Sequence, residues 1–341
     1  MVRGGGPPVV TSRRTGRLAL PFGSRARWRR EEAQVPIEFD DQSVDVGNVD
    51  DRRGGGGIGR GGGMAIGGGA GVVGLVIYLL VTLLGGNTSQ LQLPSSGAAG
   101  GADTGGSSGV SGETTAQLKA RCNSAGALDK YTDCRLIKAF NVDDTVWKAE
   151  FARRGISYVS PRFAFFTGQT DTGCGPASAD VGPFYCPPDQ EIYLELGFLQ
   201  QLQTQFGAQG QFAQAYIVAH EFGHHLQTLL GTEPKVRAAQ QRNPSQANKY
   251  SIALELQADC YAGAWSNLAG KASTNGINLS QANIDEAVNA AQAVGDDRIQ
   301  QKVQGRVNPE SWTHGSAAQR KQWFLTGEQS GDIDSCNTFG S

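Results

Sequence analysis

Histidine is the scarcest metal-binding side chain in this 341-residue sequence, with only four in all. Neither charge is in excess: 30 Lys and Arg stand against 32 Asp and Glu, a formal net charge of −2, so the basic footprint of a nucleic-acid binder is missing. Lysine is absent before Lys119 and cysteine before Cys122. No two cysteines have C-x-x-C spacing, which argues against a cysteine-ligated zinc site. No internal repeat is visible. The 48 glycines are spread unevenly, so the length overstates the folded core.

What is present divides the chain in four. Residues 1–63 hold eleven arginines, a mixed acidic stretch and a glycine run, with too little apolar content to offset chain entropy; they read as a disordered arm. Residues 64–84 carry no charge and end in Gly74-Leu75-Val76-Ile77-Tyr78-Leu79-Leu80-Val81-Thr82-Leu83-Leu84, enough as a helix to cross a ~30 Å hydrocarbon layer. Arg52, Arg53 and Arg60 precede this run, and no basic residue follows until Lys119. The positive-inside rule then predicts a single-pass plasma-membrane protein, in contact with the lipid bilayer through 64–84, with a cytoplasmic arm and an extracytoplasmic domain. Residues 85–115 have the Gly, Ser and Thr composition of a flexible linker. The folded domain is expected over 116–341.

All six cysteines fall within that domain, an even number that suggests disulfides. Cys122 with Cys134 and Cys174 with Cys186 are the local pairs, leaving Cys260 with Cys336. Asp143 or Asp144 can cap a helix that stops at Gly155. Arg162–Phe166 and Glu191–Leu196 read as strands, with a Gly, Pro and Cys-rich loop between them. Helices are predicted over 211–230, from Ser245 to Gly270, and after Ser280 and Ser316, the last with Gln319 completing a capping box. The fold class is α+β, mostly helical with a small sheet.

His220 and His224 are four apart on the apolar helix 211–230, so both imidazoles leave one face and can hold one Zn²⁺ with Glu221 beside a metal-activated water. That chemistry suits amide hydrolysis, with Glu221 taking a proton from the water and passing it to the leaving nitrogen. A third ligand is needed. Gln227 and Leu230 exclude the extended three-histidine pattern. Glu255 on the next helix is the better candidate, with Asp259 one turn on to accept the free N–H of a ligating histidine; the competing reading makes both solvated helix acids. His225 lies about 100° round the helix from His224 and reads as structural or as a support behind the ligands. His314 is either an oxyanion donor or an ordinary loop histidine, and Tyr250 and Tyr261 are weaker candidates for the donor role.

Several blocks in this order resemble the neutral zinc metallopeptidases of bacteria: Asp50-Asp51-Arg52-Arg53, Gly182-Pro183-Phe184-Tyr185-Cys186-Pro187, Ala215 through His225, Glu255-Leu256-Gln257-Ala258-Asp259-Cys260 and Thr313-His314-Gly315. The resemblance implies a zincin-like domain with His220, His224 and Glu255 as ligands and Glu221 as the base. It also implies a strand edge holding a peptide or protein substrate outside the membrane, which Glu191–Leu196 would supply. A tethered zinc-binding or scaffold protein without turnover, or a hydrolase of non-peptide amides, would share the same motif.

Overall fold

A computed structural model describes residues 1–2, 4–6, 36–53, 113–272 and 276–340. In chain order the elements are β1 (Glu38–Phe39), β2 (Val49–Asp51), α1 (Thr115–Cys122), α2 (Ala127–Lys130), α3 (Thr132–Arg154), β3 (Arg162–Phe166), β4 (Gln169–Thr172), β5 (Gly175–Ser178), β6 (Phe184–Cys186) and β7 (Glu191–Glu195). They continue with α4 (Leu196–Gln201), α5 (Gln211–Leu229), α6 (Thr232–Arg242), α7 (Ala247–Lys271), β8 (Ile277–Asn278), α8 (Gln281–Ala293), α9 (Asp296–Gln304) and α10 (Ala317–Ser330).

The main sheet has the order β2-β3-β7-β6, with β2, β3 and β7 parallel and β6 antiparallel to β7. β3 reads Phe163-Ala164-Phe165-Phe166, all buried, the continuous apolar run expected of an interior parallel strand. Aromatic contacts tie the helices to it: Phe140 of α3 stacks on Phe163 with centroids 5.1 Å apart and meets Phe222 of α5 at 5.6 Å. Behind α5, Trp265 of α7 stacks on Phe212 at 5.8 Å. α10 crosses α7 so closely that a Cβ at Gly327 would stand 1.8 Å from the Cys260 carbonyl oxygen.

The disulfides are Cys122–Cys134, Cys174–Cys186 and Cys260–Cys336, the pairs that spacing suggested. α8 and α10 open on Ser280 and Ser316, and Gln319 closes the second capping box as expected. α3 departs from its predicted start. It begins at Thr132, because Leu136, Ile137 and Phe140 already give it a buried face, and Asp143 sits mid-helix with both carboxylate oxygens buried. Burial pushes that acid well above the ordinary carboxylate range, and the neighbouring Asp144 adds to the shift. The expected loop before β7 holds the β4–β5 hairpin and β6. α6 and α9 escaped the sequence reading because they are mostly polar, α6 burying Val236 alone.

The membrane placement is corrected. Among the described residues no helix is long and apolar enough to cross a membrane. The segment 64–84 that carried the expectation lies outside the described residues, as does 85–112 of the expected linker. The sheet adds a topological objection: β2 precedes that segment and β3 follows it, yet Val49 pairs with Phe163 and Asp51 with Phe165. One crossing between them would set paired strands on opposite sides of a bilayer. The single-pass division into a cytoplasmic arm and an external domain therefore fails.

The folded domain also starts well before residue 116. β1 pairs with β8, and Asn123 exchanges two 2.9 Å hydrogen bonds with the Val44 backbone. Arg53, 4% exposed, forms ion pairs with Asp51 at 2.6 Å and Asp133 at 2.9 Å. Residues 36–53 are thus part of the domain and not of a disordered arm.

Candidate metal centre

α5 supplies His220, Glu221 and His224, α7 supplies Glu255 and Asp259, and the loop before α10 supplies His314. α5 is buried on most sides by Phe212, Ala215, Tyr216, Val218 and Phe222, which brings its motif into the interior. Gly223 sets the spacing to α7. A Cβ there would lie 2.9 Å from the Ala258 Cα, so only a residue without a side chain lets the two helices meet at this distance.

That approach brings His220, His224 and Glu255 together, with one ligand atom from each within 4.8 Å of the others. Glu255 Oε2 lies 3.2 Å from His220 Nε2, and its Oε1 lies 3.5 Å from His224 Nε2. The opposite ring nitrogens are held from behind. His220 Nδ1 donates to Asp259 Oδ1 at 2.9 Å, and His224 Nδ1 donates to Gln227 Oε1 at 2.9 Å. The Gln227 amide nitrogen donates to the Leu254 carbonyl at 2.7 Å, which leaves its oxygen to accept. Both Nε2 atoms consequently face Glu255.

His224 Nε2 and Glu221 Oε2 are buried without hydrogen-bond partners. Buried polar atoms are rarely left so unless something else satisfies them. Two imidazoles and one carboxylate are a fitting donor set for zinc, with a fourth position left to water or substrate. The charges agree. Burial works against ionisation of Glu255, but His224, His220 and His314 hold its carboxyl far below the usual range. Burial likewise opposes charge on His220, yet the Asp259 carboxylate and the hydrogen bonds to it and Glu255 lift it to about 9. Glu221 is raised, mainly by burial, as a proton-accepting carboxylate in a closed site requires.

Asp259 is itself braced. Its Oδ2 receives Arg320 Nε at 2.8 Å, while Oδ1 receives Arg320 Nη2 at 2.9 Å and the hydroxyl of Tyr216. His314 is fully buried, its Nδ1 3.0 Å from Asp296 Oδ1. Asp296 Oδ2 also takes the backbone N–H groups of Thr313, His314 and Gly315, at 2.8, 2.7 and 3.0 Å. The loop is thereby fixed, and His314 Nε2 is left buried and unpartnered. Burial disfavours the imidazolium, but Asp296 raises the His314 pKa above its ordinary value.

His225 turns away from the cluster. Its Nε2 donates to the Val159 carbonyl at 2.7 Å and its Nδ1 accepts from the Tyr185 hydroxyl at 3.0 Å; burial lowers its pKa to about 4. Tyr261 packs on Trp147 in the core, and neither it nor Tyr250 lines the cavities beside Glu221. The expected substrate edge moves as well. β7 lies between β3 and β6, so Glu191–Tyr193 are paired on both sides while Leu194 and Glu195 pair with β3 alone, and the edge strands of the sheet are β2 and β6. Sequence reading missed Gln227, Tyr216, Asp296 and Arg320. Gln227 at i+3 from His224 and Tyr216 at i−4 from His220 were readable as same-face neighbours. Asp296 and Arg320 come from distant elements and left no local signal.

The family described as "Putative neutral zinc metallopeptidase" matches residues 41–339. The chain belongs to this family. Among its relatives, an uncharacterized protein of Mycobacterium tuberculosis (strain ATCC 25618 / H37Rv) is 46% identical over 228 residues, 65% of this chain and 75% of that protein. The uncharacterized protein YpfJ of Escherichia coli (strain K12) is 49% identical over 200 residues, 58% of this chain and 68% of that protein. No solved structure gives a significant match. The match from residue 41 agrees with the placement of β2 inside the folded domain.

Proposed function

We propose that this protein is a zinc-dependent peptidase in which His220, His224 and Glu255 hold the ion and Glu221 is the general base. The observation that carries the reading is the convergence of three ligand atoms within 4.8 Å beside the buried, unpaired Glu221 carboxylate oxygen. Zinc in such a site supplies Lewis acidity, polarising a substrate carbonyl and acidifying water.

The side chains divide the remaining work. Asp259 and Gln227 keep the proton on Nδ1 of His220 and of His224, so each Nε2 lone pair is directed at the cluster. Glu221 accepts the proton of the attacking water and returns it to the leaving amine nitrogen. His314, held through Nδ1 by Asp296, directs Nε2–H at the carbonyl oxygen as negative charge develops there. A peptide laid along 182–187 would pass Glu221, since Gly182 and Pro183 border the cavity on one side of it and Phe184 and Tyr185 the cavity on the other.

The test uses the full chain, its bound metal measured directly, and a peptide library. The wild type should bind about one zinc and cleave, Glu221→Gln should keep zinc and lose cleavage, and Glu255→Ala should lose most of the zinc. Undiminished cleavage by Glu221→Gln would remove the base assignment, and zinc binding by a wild type that cleaves no peptide would leave a binding protein.

A further inference from the structure

Two cavities meet at Glu221, and they differ in chemistry. On the His224 side a cleft is bordered by Phe184, Tyr185, Pro187 and Leu254 together with Glu233, Arg237, Gln240 and Ser251, with Glu233 and Arg237 paired to each other. On the His220 side a narrow cleft is walled by Val181, Phe198, Leu202, Ile217, Val294 and Ile299, with His220, Glu221 and His314 also lining it. Apart from Glu221 and the imidazoles of His220 and His314, the charged group lining that cleft is Arg320, and it is not free to bind an anion. Its Nε and Nη2 go to Asp259 and its Nη1 to the Val294 carbonyl at 3.2 Å. Gly182 closes the mouth against Phe198, whose ring would stand 2.9 Å from a Cβ there. A cavity with apolar walls and a reactive end discriminates by the burial of an apolar group.

We propose that the His220-side cavity is the specificity pocket and that it takes a large aliphatic or aromatic side chain of the residue next to the scissile bond. This deepens the peptidase reading and rests on it. A peptide with Asp or Lys at that position would bury an unpaired charge among Phe198, Leu202 and Ile299, whereas Leu, Met or Phe would displace water from apolar walls. The cavity on the other side mixes apolar walls with Glu233, Arg237, Gln240 and Ser251, groups that can also pair with a polar side chain.

The experiment gives a degenerate peptide library to the zinc-loaded full chain and maps the cleavage sites by mass spectrometry. In parallel, peptides retained by the zinc-loaded Glu221→Gln protein are sequenced. Cleavage should favour Leu, Ile, Met or Phe over Asp and Lys by about 10-fold to 100-fold at one position beside the bond, with the same residues enriched among retained peptides. Val294→Asp should abolish this preference, and Phe198→Ala should shift it towards larger aromatic residues. Cleavage with no apolar preference, or a preference unchanged in both variants, overturns the pocket and leaves the peptidase reading standing. Apolar-selective retention that Val294→Asp removes, without cleavage by the wild type, upholds the pocket and defeats the peptidase reading. Neither cleavage nor selective retention overturns both.

Discussion

Asp259 Oδ1 lies 2.9 Å from His220 Nδ1, so one fully buried carboxylate fixes which nitrogen of a candidate ligand faces the metal site. The same acid neutralises Arg320, which comes from the other side of the site on α10. Asp259→Asn keeps the shape but replaces an acceptor oxygen with a donor group. Zinc affinity should fall by roughly 10-fold to 100-fold, measured by competition with a chromophoric chelator. A lower melting temperature with unchanged zinc affinity would reduce Asp259 to a partner for Arg320.

Gly223 predicts a different kind of failure. In Gly223→Ala the added Cβ meets the Ala258 backbone at 2.9 Å, so α5 and α7 must move apart. Overpacking of this kind costs about 1–3 kcal/mol. Glu255 would also withdraw from His220 and His224. Chemical denaturation should show the stability loss, and calorimetry should show weaker zinc binding. A variant that is destabilised yet binds zinc at full strength would mean that the helix spacing does not set the ligand geometry.

Much of the centre was legible because its key residues are local to one helix. His220, Glu221 and His224 depend on helical spacing alone, and Glu255 with Asp259 repeats that i, i+4 geometry on α7. Arg320 and Asp296 depend on how α9 and α10 fold back over α5, which no window of sequence contains. The early strands were hidden for another reason. Ile37 and Phe39 alternate and are buried about β1, but β2 is half-buried at all three positions, Val44 and Val46 are buried outside any strand, and all lie among residues whose average composition is that of disorder. Composition averaged over 63 residues erased a period-2 signal. The uncharged length of 64–84 and the arginines before it gave that run a topological meaning that the β2–β3 pairing contradicts.

Residues 36–53 should therefore be required for stability. Arg53 and Arg121 both hold Asp133, at 2.9 Å and 2.7 Å, and Asp133 is 1% exposed. Arg53→Ala would break a buried network and should cost about 3–5 kcal/mol in thermal or chemical denaturation. Deletion of 36–53 should be more severe, because it also exposes the outer edge of β3.

The same network predicts an acid response. Burial works to raise Asp133, but the Arg121 hydrogen bond and the Arg53 charge hold its folded pKa below the model-peptide value of 3.8. A carboxylate depressed in the folded state contributes stability that is fully present above its unfolded pKa, near ~3.9, and is lost as pH falls through the folded value. Stability measured downward from pH 5 should fall less steeply in Asp133→Asn than in the wild type. Identical slopes would show that the aspartate does not titrate with unfolding.

The Cys260–Cys336 disulfide should matter to the metal as well as to the fold. It closes a separation of 76 residues, against 12 for Cys122–Cys134, so the chain-entropy argument gives it the larger stabilisation, about 4–5 kcal/mol against about 3. It also fixes Cys336, whose carbonyl accepts Gln257 Nε2 at 2.9 Å. Gln257 Oε1 in turn accepts Gln227 Nε2 at 3.2 Å, and Gln227 orients His224. Replacing Cys260 and Cys336 by Ala should lower both the denaturation midpoint and zinc affinity. The Cys122 and Cys134 double replacement should lower the midpoint alone, because no such relay leaves it. Equal zinc affinity in the two double variants would break the proposed link between the C-terminal crosslink and His224.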